Sequence, residues 1–344
     1  MMDALQNTIF NLTGPGKIHF VNVNLSESVP PDYVRVAIEY CGICGTDLCF
    51  YHGYRNEGYP ICLGHEHCGT VVLIGSSVTK IKKGDFVAID PNYRCGQCKF
   101  CLINQSHLCE SYNTQLYSNK GYAKYVDIHQ SYLYILPPYP SRFIGALVEP
   151  LSVAINAIDI AKITDHNEIG PLVLGVGNIG TLLCFALMSY FKNLKIAIHD
   201  KNPYKTKALQ DLYPNRVKIV NKISKNTERY NWVFEVTGQA AGFKKACNLL
   251  QKAGTIVIIS RYYKGEPKIP NNIITWKDPI IRIAHLNGHG PSSMVQAASL
   301  LSTYWTKAHN ELLSFYKFDE IDKAFSEYEV NNKNKKIIDM QCNF

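Results

Sequence analysis

The stretch Cys95-Gly96-Gln97-Cys98-Lys99-Phe100-Cys101, followed by Cys109, sets four thiols at the spacing C-x2-C-x2-C-x7-C. Two-residue gaps let thiolates converge on one ion. Four thiolates complete tetrahedral Zn2+ with no position left open, so the spacing points to a structural metal site rather than a reactive one. An iron–sulfur cluster uses similar short gaps, and buried free thiols are the other alternative. Disulfides fit poorly. The 12 cysteines are spread over 344 residues, unlike the short secreted scaffolds that depend on disulfides. The first twenty residues also lack the basic start and apolar run of an export signal.

A second motif is Gly175-Val176-Gly177-Asn178-Ile179-Gly180. It follows the apolar run PLVLGVG, opens the helical pattern NIGTLLCFALMSYFK, and is succeeded by LKIAIHD, which ends at Asp200. A glycine-rich turn between strand and helix, with an acid at the end of the next strand, predicts dinucleotide binding. Gly175 permits the tight turn, Gly177 lets the backbone approach a pyrophosphate, and Gly180 lets the helix pack on the strand. Asn178 and Ile179 open the helix, where unpaired N–H groups and the positive dipole end favour phosphate. Asp200 would accept hydrogen bonds from the adenosine ribose and repel a 2′-phosphate, which favours NAD over NADP. Lys201 and Lys205 lie just beyond and could pair with a phosphate, and Asp200 could instead cap a helix starting near Pro203.

A third group is dispersed: Cys44, His65, Glu66 and Glu149. Taken singly, each has an ordinary explanation: a small core thiol, a satisfied core histidine, or an acid at a helix start. His67, Cys62 and Cys68 surround the second of these positions and read as core residues.

The elements that must position these groups follow from patterning. Residues 33–90 alternate short β-branched runs (YVRVAIEY, GTVVLIG, KKGDFVAIDP) with turn signals, which predicts an antiparallel barrel-like or sandwich unit. From about residue 150 the rhythm is helix and strand in turn: LSVAINAIDIAK, PLVLGVG, NIGTLLCFALMSYFK, LKIAIHD, KTKALQDLYP, YNWVFEVTG, AAGFKKACNLLQ, AGTIVIIS. That is the pattern of a doubly wound parallel sheet. A last strand, IIRIAHLNG, precedes a Gly288-His289-Gly290-Pro291 break, then SSMVQAASLL and FDEIDKAFSEYEV read as helical.

Composition narrows the function. The chain is 46% apolar with a net charge of +8, enough for one large or two medium domains and suited to an anionic ligand. The closest approach to a basic patch, Lys333, Lys335 and Lys336, reads as solvated surface. No basic stripe with interleaved aromatics suggests nucleic-acid binding. No run approaches eighteen consecutive apolar residues, so no membrane role is expected and the protein reads as cytoplasmic.

The segments CGICGTD, GHE, CGQCKFC with Cys109, VEPLSV and GVGNIG occur in this order and resemble the zinc-dependent medium-chain dehydrogenases, above all the polyol (sorbitol-like) and threonine dehydrogenase branch. The likeness runs from roughly Tyr33 to Ile338. It implies a two-domain α/β protein: a GroES-like β catalytic domain (1–152), a Rossmann doubly wound parallel sheet for the coenzyme (153–289), and a return of the chain to the catalytic domain (290–344). It implies that Cys44 and His65 hold a catalytic zinc, that Glu149 ligates it or holds its water, that Glu66 is close enough to enter its coordination, and that Cys95, Cys98, Cys101 and Cys109 hold a structural one. It further implies that Thr46 takes the substrate proton, Asp47 orients a metal-binding side chain, and Thr237 and Gly238 let the coenzyme approach. Two positions depart from the family pattern. Cys49 stands where a relay histidine is common, leaving His52 or water to carry the proton, and Arg261, which would reach the cofactor or cap the strand end, follows a strand where relatives have a small residue. The implied activity is hydride transfer between a polyol or other secondary alcohol and NAD, in a homo-oligomer (dimer or tetramer). A threonine-type amino alcohol is the rival substrate, and a non-catalytic nucleotide sensor the rival from another class.

Overall fold

The structure, a computed structural model, describes residues 6–55, 58–111, 113–114, 120–163, 170–224, 227–263, 265–288, 291–328 and 333–341. His289 and Gly290 of the glycine-rich break, and the end of the last helical pattern beyond residue 328, lie outside the described residues.

The chain opens with a hairpin of β1 (Gln6–Gly14) and β2 (Lys17–Asn24), which the sequence patterning does not announce. The runs read as strands then form β3 (Tyr33–Gly42), β4 (Glu66–Ile74) and β5 (Phe86–Ile89), with α1 (Gly45–Tyr51) inserted after β3. Short elements follow: β6 (Asn92–Tyr93), α2 (Lys99–Leu102), β7 (Asn113–Thr114), β8 (Tyr125–His129) and β9 (Leu133–Ile135). Val34, Val36 and Ile38 of β3 point into one core with Phe10, Phe50, Tyr122 and Phe325, which is the period-two burial expected of a strand with one face covered.

The helix–strand alternation gives α3 (Val148–Ala161), β10 (Leu172–Leu174), α4 (Asn178–Tyr190), β11 (Ile196–His199), α5 (Pro203–Leu212) and β12 (Val217–Ile219). It continues with β13 (Tyr230–Glu235), α6 (Ala240–Leu249), β14 (Leu250–Ile258), α7 (Asn271–Trp276) and β15 (Ile280–Ile283). The chain ends with α8 (Pro291–Tyr304), β16 (Leu313–Lys317), α9 (Ile321–Ser326) and β17 (Lys335–Asp339).

Six strands form a parallel sheet in the order β12-β11-β10-β13-β14-β15. The sequence order reverses between β10 and β13, and in such sheets a ligand crevice opens beyond the strand ends at that point. Residues 175 and 236 emerge there side by side. All of β10 is buried, as the central strand of a sheet covered on both faces must be. The helical run Arg142–Ala161 is long and apolar enough by length and composition to cross a bilayer, yet 78% of its most apolar 18-residue stretch is buried. It is the core helix, packed against α4 and α8.

The other sheet runs β16-β17-β3-β4-β5-β9, with β8 also on β3. Its pairs are antiparallel except β16 with β17. The chain's return is therefore a strand: β17 lies beside β3 with Ile338 opposite Cys41, whereas α8 stays with the helices of the parallel sheet.

Two asparagines join the sheets at the glycine turn. Asn178 Nδ2 donates to Ile43 O at 2.5 Å, and Asn334 Nδ2 reaches Val176 O at 2.8 Å and Thr181 Oγ1 at 2.9 Å. Replacing buried Asn334 by Ala removes both of these hydrogen bonds, leaving Val176 O only the Thr181 hydroxyl among the described residues. Stability in urea denaturation should fall by about 1–3 kcal/mol, and a midpoint equal to the parent's would show that the join is not energetic.

Candidate active site

Cys44 ends β3's exit loop in an extended conformation and caps α1, so its thiol faces the space beyond the helix start. Asp47, one turn on, is buried and accepts from the Cys44 N–H at 2.9 Å and the Tyr122 hydroxyl at 3.0 Å through Oδ2. Its Oδ1 lies 3.5 Å from His65 Nδ1. Burial opposes ionisation of Asp47, but His65 and these hydrogen bonds outweigh it, and its pKa lies below the ordinary carboxylate value. A buried carboxylate behind an imidazole fixes ring orientation and leaves the far ring nitrogen for a ligand.

His65 and Glu66 sit where β4 begins, across from Gly42 at the end of β3. The donor atoms of Cys44, His65 and Glu66 lie within 4.8 Å of one another. Burial works against a charged His65, yet Cys44 and Asp47 hold its pKa well above the usual imidazole value. Glu66 is wholly buried. Its Oε2 accepts from Lys335 Nζ, and its Oε1 has no partner among the described residues. Gly42 keeps that pair possible, because a Cβ there would collide with Glu66 Oε2 and Lys335 Nζ. A thiol, an imidazole and a carboxylate gathered in a buried space with uncompensated negative charge fit a divalent cation, zinc by the softness of the set.

Glu149 opens α3 and lines the same cavity, though it is not among the three clustered donors. Burial, with Glu66 and Asp90 adding and His65 opposing, pushes its pKa up to about 8.

The cavity measures about 850 Å³ and is shared with the glycine turn. Thr46 and Cys49 of α1 with His52 just past it line one wall, Gly177, Asn178 and Ile179 another, and Thr237 and Gly238 a third. Gly175 has φ +94° and Gly238 +65°, backbone that only glycine adopts without strain. A Cβ on Gly180 would strike Gly175 O, so the close helix–strand contact expected of that glycine is present. Asp200 accepts from the N–H groups of Val176 and Asn202, each at 2.8 Å. Capping of α5 falls to Asn202, whose side chain takes the Tyr204 N–H. The side chain of Asn178 is engaged with Ile43 rather than free in the cavity.

The four-cysteine segment forms a separate knot. Cys95 Sγ stands 3.5 Å from Cys109 Sγ and 4.0 Å from Cys101 Sγ, and backbone N–H groups of Cys95 and Cys98 point to Cys109 and Cys95 sulfurs at 3.3 Å each. All four sulfurs lie within 4.8 Å of one another. Backbone donors at Cys101 and Glu110 draw the Cys98 thiol down to about 6, which readies it as a thiolate ligand.

One reading fails. Lys335 and Lys336 are not solvated: each is 1% exposed. Lys335 also reaches Ile43 O at 3.3 Å, and Lys336 Nζ donates to Tyr328 O at 3.0 Å with its charge over the Tyr328 ring. A lysine run ordinarily stays wet because its ammonium is costly to bury; here a buried carboxylate meets Lys335, whereas burial, with Lys205 and Lys335 adding, lowers the Lys336 pKa to about 7. Tyr122, which holds Asp47, was equally invisible, since no local pattern marks a tyrosine 75 residues away as its partner.

A family model described as the alcohol dehydrogenase GroES-like domain matches residues 30–138. A zinc-type alcohol dehydrogenase-like protein of Escherichia coli (strain K12) is 30% identical over 351 residues, 96% of this chain and 96% of that protein. The D-altritol 5-dehydrogenase of Agrobacterium fabrum is 30% identical over 232 residues, 66% of this chain and 68% of that protein. Among solved structures, one described as a zinc-binding dehydrogenase of Sinorhizobium meliloti 1021 bound to NADP superposes with a TM-score of 0.85 at 25% identity, covering 98% and 100% of the two chains.

Two outcomes follow from the charges. Replacing Lys335 by Met strands Glu66 without its cation and should cost about 3–5 kcal/mol in chemical denaturation, whereas the double variant with Glu66→Gln should recover much of that loss. In metal-free protein, Glu149 binds its proton more tightly folded than unfolded. Stability should therefore fall as pH rises from the ordinary carboxylate range, near 4.5, through about 8. Glu149→Gln should flatten that slope, and an unchanged slope would assign it to other groups.

Proposed function

The chain belongs to the zinc-type alcohol dehydrogenases, and from that premise we propose that it oxidises a secondary alcohol of a polyol to the ketone with NAD. The observation that carries this reading is the single cavity lined both by Cys44, His65, Glu66 and Glu149 and by the glycine turn at Gly177. A metal-held hydroxyl and a nicotinamide could meet there. Cys44, His65 and Glu66, with Glu149 beside them, would hold a catalytic zinc, and Cys95, Cys98, Cys101 and Cys109 a structural one, two per chain. When bound, the catalytic metal supplies the Lewis acidity that makes the substrate hydroxyl acidic, and the nicotinamide accepts the hydride.

The chain's own groups then have distinct tasks. Asp47 holds the His65 ring so that its other nitrogen faces the cavity. Thr46, on the first turn of α1, takes the hydroxyl proton through its side-chain oxygen and passes it outward. His52, six residues further along at the end of α1, lines the same wall. With Cys49 at the intervening position, His52 is the imidazole available to carry the proton to solvent. Gly175, Gly177 and Gly180 bring the turn close to the pyrophosphate, with the N–H groups of Asn178 and Ile179 directed at it. Thr237 and Gly238 let the coenzyme backbone pass.

The carboxylate of Asp200, fixed by two backbone N–H groups, supports NAD over NADP because a 2′-phosphate beside it would meet like charge. We place the domain limits at 1–152 and 153–289, with α8 added to the second and the return to the first made by β16 and β17 rather than by the whole of 290–344, and read the protein as a cytoplasmic homo-oligomer, dimer or tetramer. The outer strand β15 supports association: Ile283 is 70% exposed and Trp276, just before it, 74%. Such an apolar unpaired edge invites a second strand.

The test is a substrate panel on zinc-loaded protein, following NADH absorbance with polyols, simple secondary alcohols and L-threonine, with NAD and NADP in parallel. Polyols with NAD should be preferred. Activity on L-threonine alone would move the assignment to amino alcohols, and no activity together with a single zinc per chain would favour the nucleotide sensor. Thr46→Ala should lower kcat by roughly a hundredfold or more without reducing zinc content.

A further inference from the structure

Arg261 follows the end of β14 and lines the cavity. Its guanidinium forms no ion pair and no hydrogen bond with another described residue. The carboxylates among the cavity-lining residues are Glu66, already bonded to Lys335, and Glu149, on α3. Two residues beyond Arg261, the Tyr263 hydroxyl also lines the cavity, shielded from solvent and without a partner among the described residues. His285, just past β15, completes this wall. Its burial, together with Arg261 and then His107, keeps its pKa below the ordinary imidazole value. The wall therefore carries a fixed positive charge with no local counter-charge, next to a phenol with an unused donor.

The sheet order says which ligand reaches it. The glycine turn follows β10, Asp200 follows β11 on one side, and Arg261 follows β14 on the other, with β13 between. Two strand spacings, about 10 Å, separate Arg261's strand from that of the glycine turn, in the direction away from Asp200. With the adenosine at Asp200 and the pyrophosphate at the turn, the β14 end lies at the nicotinamide end of the dinucleotide, where substrate enters.

Resting on the proposed function, we infer that the substrate is a polyol carrying an anionic group, phosphate or carboxylate, away from the reacting carbinol, and that Arg261 with Tyr263 binds that group. The anionic group is a handle and is unchanged by the reaction. The hydride still leaves the carbinol carbon for the nicotinamide, and the hydroxyl proton leaves by Thr46. A planar guanidinium with parallel N–H donors matches either anion bidentately.

The experiment uses the full-length, zinc-loaded protein with glucitol, gluconate and glucitol 6-phosphate, and the variants Arg261→Ala and Arg261→Lys. The parent should show a kcat/KM for one of the anionic compounds at least about tenfold above glucitol; which one identifies the handle as carboxylate or phosphate. Arg261→Ala should raise KM for that compound by a similar factor, leaving kcat, the KM for NAD and the glucitol kinetics near the parent's values. Arg261→Lys should restore part of the loss. Equal use of charged and neutral polyols, or an effect of Arg261→Ala on KM for NAD instead, overturns the inference. Calorimetric binding of the three compounds to the NADH complex reads the same preference without turnover. If no polyol is oxidised, the proposed function falls, and anion binding at Arg261 is decided by calorimetry on its own.

Discussion

Buried negative charge around one point is the constraint that organises this molecule. Cys44, Asp47 and Glu66 gather around a single imidazole, with Glu149 nearby holding its proton up to about 8, and each buried ionised group there costs several kcal/mol unless it is met. The Cys44 N–H and the Tyr122 hydroxyl meet Asp47, Lys335 meets one oxygen of Glu66, and a divalent cation would meet the remainder. Lys335 can do this only if the chain's last strand lies beside β3, so the electrostatics of the site and the topology of the antiparallel sheet are one requirement seen twice.

The parallel sheet answers to a different rule. Its strand order opens a crevice between β10 and β13, and the glycine turn places backbone donors at that opening. The proposed chemistry needs this opening to face the Cys44–His65–Glu66 cluster, and no covalent feature ensures that. Asn178 bonds across to Ile43, and Asn334, next to Lys335, bonds back to Val176 and Thr181. The segment Asn334–Lys335 thus holds both halves of the site, gripping the dinucleotide turn with one residue and the carboxylate cluster with the next.

Much of this was legible from local pattern. The alternation of β-branched residues over 33–90 and the helix–strand rhythm from residue 150 are direct consequences of one-faced and two-faced burial, and the glycine spacing at 175–180 follows from backbone approach. The β1–β2 hairpin was not, because β2 is mostly solvent-exposed and shows no burial period to detect. Lys335 and Lys336 were misread because a lysine's preference for water is a local average. Their partners, a glutamate 269 residues away and a tyrosine ring, come from the fold. The separation of Glu149 from the tight Cys44–His65–Glu66 group is likewise a fact of distance that adjacency in a motif cannot express.

The sequence by itself determined what depends on neighbours in the chain: the four-thiol knot, whose sulfurs lie within fifteen residues; the glycine turn between its strand and helix; and the class of each sheet. Only the tertiary structure decided which remote groups share one buried space, that Lys335 is the partner of Glu66, that Asn178 serves the join between sheets, and that Arg261 stands unpaired on the cavity wall. The reason is physical. Backbone geometry and burial periodicity act over a few residues, whereas charge compensation acts through space, and its partners are chosen by the fold.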